Sequence, residues 1–196
     1  MNPYQIVADF ESALCEYVGA RYAVTTNSCT MALLLACKWY NEPVIEIPSR
    51  TYVSVPMSII HAGGKPAFRD ESWSGAYRLK PLPVWDSARR FTAGMYAPGQ
   101  MQCVSFHASK ILGHSQGGAI LHDDPEADQW FRRARFDGRA QGVAPRYDDI
   151  TMIGWHCYLS ADVAAALLLK LHHLPRHNAD LPNDDYPELS QMEVFR

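Results

Sequence analysis

Ser105-Phe106-His107-Ala108-Ser109-Lys110-Ile111-Leu112, followed by Gln116-Gly117-Gly118-Ala119-Ile120-Leu121, is the stretch on which the reading of this chain turns. A short β-like run, 102–106, leads into a polar turn that holds one lysine. Two glycines then open a second strand, 118–122. A lysine on a turn between two buried strands sits in an apolar, glycine-rich setting. Desolvation there disfavours the ammonium form and lowers the lysine pKa, the condition a Schiff-base lysine needs. Taken alone, the stretch also fits a solvated loop lysine.

Working outward, the chain of 196 residues suits one domain, with two small ones allowed. Its 47% hydrophobic content is ordinary for a globular core. A net charge of −3 gives no global pull toward nucleic acid or anionic membrane. Arg132, Arg133, Arg135 and Arg139 form a local basic cluster, which leaves nucleic acid open. Five cysteines without metal-like spacing argue against a disulfide framework or a zinc site. No basic-then-apolar stretch opens the sequence, so a reducing cytoplasm is the expectation. The most apolar run, 161–171, is too short to span a bilayer and contains Asp162 and Lys170.

In chain order, 3–18 reads as an amphipathic helix with Asn2 as N-cap, Pro3 in its first turn and Gly19 as its stop. Ile6, Phe10, Leu14 and Tyr17 line one face. A strand at 22–25 precedes a second helix that opens at Asn27-Ser28-Cys29-Thr30 and runs to Tyr40. A polar turn at a helix N-terminus suits a phosphate; Ser28 or Thr30 acting only as a cap is the alternative. A strand at 44–47, a loop to Tyr52, a helix at 53–61 and a strand at 66–68 follow. Residues 70–83 show no clear element, and 84–85 is a short strand ending in Asp86. After Ile120, the acidic run at 123–126 starts a helix to Phe136. Residues 140–152 are loop, and a last helix runs from Ser160 to His172. Residues 1–174 therefore form one domain of α/β class, a mainly parallel sheet flanked by helices with ligand groups at the carboxyl ends of strands. Residues 175–196, polar and without an apolar period, read as a tail or arm that packs weakly or is disordered.

The order of short motifs carries a resemblance. Phe10-Glu11, 17–24, 27–33, 47–54, 62–68, Asp86-Ser87-Ala88, the Lys110 turn and 154–160 follow one another as in the DegT/StrS-like sugar aminotransferases, pyridoxal-phosphate (PLP) enzymes of fold type I. The resemblance runs from about Phe10 to about Leu174. It implies a reduced fold-type I large domain, PLP as cofactor, and an internal aldimine on Lys110, which also moves the α-proton. It implies that Asp86 pairs with the protonated pyridine nitrogen, which makes the ring an electron sink; a strand-end cap is the plain alternative. Ser105, Ser28, the backbone at Cys29, and Thr30 would hold the phosphate. Tyr52 would stack on the ring, or else simply pack in the core. His156, in the place of a loop amide that crosses a dimer interface, would reach the phosphate of a second copy, with Trp155 burying against that copy; a buried structural histidine is the alternative.

Several positions depart from the family pattern. Cys29 stands where a glycine is usual. Arg89 takes the place of a glutamine that touches the cofactor's phenolic oxygen. Gln116 replaces a glutamate, and Tyr158 stands where an arginine grips a carboxylate. The stretch between Asp70 and Asp86 is short by roughly a strand, a helix and part of another strand, and almost nothing follows Leu174 where the family has a small domain. Three functions follow as expectations. The first is a homodimeric PLP enzyme transferring an amino group to a sugar or nucleotide-sugar. The second is a PLP-dependent decarboxylase or lyase on a bulky amine-bearing substrate, nucleotide or polymer, which the arginine cluster would fit. The third is a non-catalytic dimeric scaffold.

Overall fold

In the computed structural model, residues 4–183 and 186–196 are described. The expected N-cap Asn2 and first helical residue Pro3 lie outside them. Helix α1 spans Gln5–Val18 and buries Val7, Phe10, Leu14, Tyr17 and Val18 along one stripe, the 3.6-residue period made physical. Gly19 ends it in the left-handed region, φ 81°, where its N–H reaches the Cys15 carbonyl.

Five strands form the central sheet in the order β1 (Tyr22–Thr26), β7 (Gly118–His122), β6 (Met101–Ser105), β5 (Val84–Asp86) and β4 (Tyr77–Leu79). A parallel pair, β2 (Val44–Pro48) and β3 (Lys65–Arg69), continues it through a two-way backbone bridge between Glu46 and Lys80. Alternation along the strands splits the core. Val24, Cys103 and Ile120 face helices α2 (Cys29–Tyr40), α3 (Ser54–His61) and α4 (Pro125–Ala134). Their neighbours Ala23, Val104, Ala119 and Leu121 face α1 and α5 (Ala161–His173). The α/β class and the flanking helices are as expected.

One expectation needs correction. The central sheet is mixed rather than mainly parallel: β5 and β6 run parallel, while β1–β7, β6–β7 and β4–β5 are antiparallel. A parallel neighbour needs a crossover of a dozen or more residues. Only residues 80–83 separate β4 from β5, so β4 folds back on it. That strand also sits where no element was expected, because three residues (Tyr77–Leu79) leave too short a pattern to read.

The described residues of 175–196, expected as a weakly packed tail or arm, are mostly exposed but are tied to the body at a few points. Leu189 is fully buried and its N–H meets the Ser49 carbonyl at 2.9 Å. Arg90 grips Asp180 with two nitrogens, Glu188 accepts from Ser49, and Phe195 packs beside Phe68. These anchors are isolated side chains on irregular backbone, so no periodicity announces them.

The four arginines of the basic cluster do not make a cationic surface. Arg132 and Arg135 both pair with Glu11, and Arg133 and Arg139 both pair with Asp148. Arg135 is 1% exposed. The five cysteines are free. Among the described residues no helix is long and apolar enough to cross a membrane.

Candidate active site

The strand ends converge on a cleft of about 420 Å³, bounded by residues from the first turn of α2, the loop before α3, the end of β5 and the turn after β6. Of the nine residues singled out from the sequence, eight line it: Ser28, Cys29, Thr30, Tyr52, Asp86, Arg89, Ser105 and Lys110. The ninth, His156, does not. Its ring is 69% exposed and its Nδ1 lies 2.8 Å from Asp137 Oδ2. The backbone of Cys157 nonetheless pins this loop to Asn27, next to the N-cap of α2.

The floor of the cleft is a helix start. Ser28 caps α2 by accepting the Met31 N–H at 3.2 Å, and the first-turn N–H groups with the positive end of the helix dipole point into the cleft. Ser28 is therefore a cap as well as a lining residue, so the two sequence readings are compatible. Thr30 Oγ1 shares a 2.8 Å hydrogen bond with Ser54 Oγ. Strand β7 reaches this helix start only because Gly118 has no side chain: a Cβ there would lie 2.5 Å from the Cys29 nitrogen. Burial pushes the Cys29 thiol well above its ordinary range, with Asp86 adding to the rise, so it lines the cleft as a neutral group.

The lysine turn is more open than an apolar setting would make it. Residues 107–109 are exposed and Lys110 is half-buried. Its N–H closes on the His107 carbonyl at 2.9 Å, and His107 Nδ1 holds Ser109 Oγ at 3.0 Å. Gly113 keeps the turn tight, since a Cβ there would lie 2.6 Å from the carbonyls of Ala108 and Lys110.

Asp86 ends β5 at 6% exposure. Its Oδ1 accepts the Ala88 N–H and its Oδ2 the Tyr77 hydroxyl, each at 2.9 Å. Burial pushes its carboxyl above the ordinary value, while the Ala88 N–H, the Tyr77 hydroxyl and the charges of Lys110 and Arg89 pull it back. A cation brought against this carboxylate would favour the charged form. Arg89, 4% exposed, is held from the C-terminal arm: its Nε donates to the Tyr186 hydroxyl at 3.0 Å and its Nη1 to the Pro182 carbonyl. Tyr186 stacks on Trp73, and both line the cleft. Tyr52, at 57% exposure, is not core packing.

Sequence reasoning missed His107, Ser109, Thr51, Ser54, Trp73 and Tyr186 as lining residues. His107 and Ser109 lie inside the quoted turn and Thr51 beside Tyr52, so their motifs contained the signal. Trp73 and Tyr186 stand in stretches with no pattern.

The cleft offers a lysine, a buried carboxylate, a helix N-terminus ringed by hydroxyls and an exposed aromatic ring. That donor set fits PLP: an aldehyde for the amine, a pyridine nitrogen for the carboxylate, a phosphate for the helix start and a ring face for Tyr52. An α/β body with this cleft at its strand ends is that of the fold-type I PLP-dependent transferases. The chain belongs to the DegT/DnrJ/EryC1/StrS aminotransferase family, whose model matches residues 1–76 and 92–181. The unmatched stretch between these segments holds Tyr77, Asp86 and Arg89.

Among relatives, a UDP-4-amino-4,6-dideoxy-N-acetyl-β-L-altrosamine transaminase of Campylobacter jejuni is 24% identical, over 96% of this chain and 63% of that protein. A dTDP-4-amino-4,6-dideoxy-D-glucose transaminase of Shigella dysenteriae is 24% identical, over 87% and 58%. A DegT/DnrJ/EryC1/StrS aminotransferase from Brucella abortus superposes with a TM-score of 0.73 at 23% identity, over 86% of this chain and 58% of that one. The chain thus spans about three fifths of the length of these relatives.

Proposed function

We propose that this chain is a PLP-dependent aminotransferase that moves an amino group to or from a sugar carried on a nucleotide. The observation that carries the reading is the convergence of Lys110, Asp86, Ser105 and the α2 N-terminus on one cleft. Family membership and relatives named as nucleotide-sugar transaminases support it.

Bound PLP supplies an electron sink for charge developing at the carbon that carries the transferred nitrogen. The chain does the rest. Lys110 Nζ would anchor the cofactor and serve as the group that moves the proton. Asp86 would pair with the ring nitrogen and favour its protonated form. Ser28, the Cys29 N–H, Thr30 and Ser105 would hold the phosphate, and Tyr52 would lie against the ring. Arg89, its guanidinium fixed by Tyr186 and Pro182 of the arm, would donate to the phenolic oxygen. The decarboxylase or lyase reading loses one of its two loose supports, because the arginines that would greet a polyanion are paired internally.

The active unit in this reading is a homodimer in the cytoplasm. The exposed His156 ring would reach the partner's phosphate, and Tyr147, Ile150 and Ile153, exposed in the stretch that precedes it, the last at 89%, offer apolar area for a two-fold contact. Trp155, expected at that contact, is half-buried and has Trp130 of its own chain as a ring neighbour. The free cysteines suit a reducing compartment.

The test is an absorbance spectrum of the purified protein with PLP added. A visible band that borohydride fixes to Lys110, and that Lys110→Ala abolishes in a folded protein, is expected. No band in the wild type, or an unchanged band in Lys110→Ala, sinks the reading.

A further inference from the structure

Tyr77 stands behind Asp86, outside the cleft. Strands β4 and β5 pair so that Tyr77 lies directly opposite Asp86. The Tyr77 hydroxyl is 2.9 Å from Asp86 Oδ2 and 2.6 Å from Thr51 Oγ1. An ionised carboxylate only accepts, so Tyr77 donates forward to Asp86 and takes its own hydrogen bond from Thr51. Thr51 is 1% and Tyr77 3% exposed, so the relay is buried at the edge of the cleft. The Ala88 N–H on Oδ1 and the Tyr77 hydroxyl on Oδ2 hold both carboxylate oxygens, which fixes the plane of the group.

We propose that Tyr77 is a positioning residue: through Thr51–Tyr77–Asp86 it holds the Asp86 carboxylate ionised and oriented for the cofactor ring and couples it to the loop that bears Tyr52. The inference rests on the PLP reading and deepens it. Tyr77 and Asp86 lie in the stretch between the two segments that the family model matches, and Thr51 lies within the first of them. It exists because residues 80–83 turn β4 back on β5, which sets a β4 side chain against the end of β5. Burial works to neutralise Asp86, and the Tyr77 hydroxyl is one of the few groups opposing it. A phenylalanine would keep the ring contact with Trp73, 4.7 Å between centroids, so packing and hydrogen bonding are separable.

Two readouts on the full chain test it. The first is the PLP dissociation constant by absorbance titration. Tyr77→Phe should raise it about tenfold, the weight of one hydrogen bond to a charged group. The second needs no cofactor. The infrared carboxylic-acid band that vanishes in Asp86→Asn is followed against pH, and its midpoint should move to higher pH in Tyr77→Phe. An unmoved midpoint overturns the proposal, even if PLP binds more weakly, because that pattern marks a packing defect. Equal PLP affinity in wild type and variant overturns the positioning role alone, whereas a wild type that binds no PLP overturns the functional reading beneath it. Should Tyr77→Phe fail to fold, Thr51→Val removes only the far donor; a midpoint shift of the same sign supports the relay and none overturns it.

Discussion

The Nε of Arg89 donates to the hydroxyl of Tyr186 at 3.0 Å across 97 positions of sequence, with the guanidinium also 5.3 Å from that ring's centroid. The C-terminal arm thereby reaches the candidate active site and shapes one wall of it. Its hold on the body depends on a few anchors, of which Leu189 is the most buried.

Leu189→Ala should therefore destabilise the protein by about 2–5 kcal/mol, the usual range for emptying a buried leucine site. Urea unfolding followed by tryptophan fluorescence measures it. Because the arm also fixes Arg89, PLP affinity should fall in the same variant. A change below about 0.5 kcal/mol, the level of a surface substitution, would mean the arm is not anchored there.

The helices and the β1, β2, β6 and β7 strands were legible because long amphipathic stripes and short apolar runs bounded by glycine carry a strong signal. Eight of the nine candidate residues singled out by motif order line one cleft, since the lysine turn, the helix start and the β5 end each keep a local pattern. Strand β4 was not, because its placement comes from a backbone reversal at 80–83 rather than from its own residues. The Glu11–Arg135 contact was equally hidden: the helix pattern counts Glu11 as a polar position, yet it is 5% exposed beneath two arginines from α4 and its end.

That buried pair sets the acid limb of stability. Burial works to raise the Glu11 carboxyl, but Arg135, Arg132 and the Thr25 N–H outweigh it and hold it below the ordinary value. A depressed carboxylate contributes stability that is complete above the unfolded pKa, about 4.3, and is lost as pH falls through the folded one. Glu11→Gln should cost about 3–5 kcal/mol at neutral pH by leaving Arg135 buried without its counter-charge. It should also flatten the fall of stability below pH of about 4.3. Unfolding midpoints from pH of about 3 to 7 in both proteins check the sign.

Asp86 carries the opposite linkage. Its raised carboxyl binds a proton more tightly folded than unfolded, so its contribution is present at low pH and is lost as pH rises through the folded value. Asp86→Asn should leave the cofactor-free protein at least as stable as wild type at neutral pH. Turnover should fall in the same variant by more than PLP affinity does, since the lost ion-pair hydrogen bond, worth about 1.5–3 kcal/mol, acts on the electronics of the ring. Thermal unfolding without cofactor and a coupled transaminase assay separate the two effects. A variant that is less stable without cofactor yet turns over normally would make Asp86 a strand-end cap.

His156 provides the test of assembly. Its loop is fixed from within the subunit, because Asn27 donates to the Cys157 carbonyl at 2.7 Å and Cys157 donates to the Arg135 carbonyl at 3.0 Å. The imidazole points outward, pairs with Asp137 and has no place among the residues of its own cleft. If a second copy brings its phosphate pocket to this ring, His156→Ala removes one hydrogen bond to an anion. PLP should then bind about tenfold more weakly. Sedimentation should not change, because the apolar contact comes from residues such as Ile153, 89% exposed, and not from the histidine. Ile153→Asp makes the complementary change: it should shift the dimer toward monomer and weaken PLP binding with it, since a monomer loses the donor from its partner. A monomeric wild type that binds PLP normally would exclude the arrangement. Equal PLP affinity in His156→Ala and wild type would leave the dimer standing but remove His156 from the phosphate.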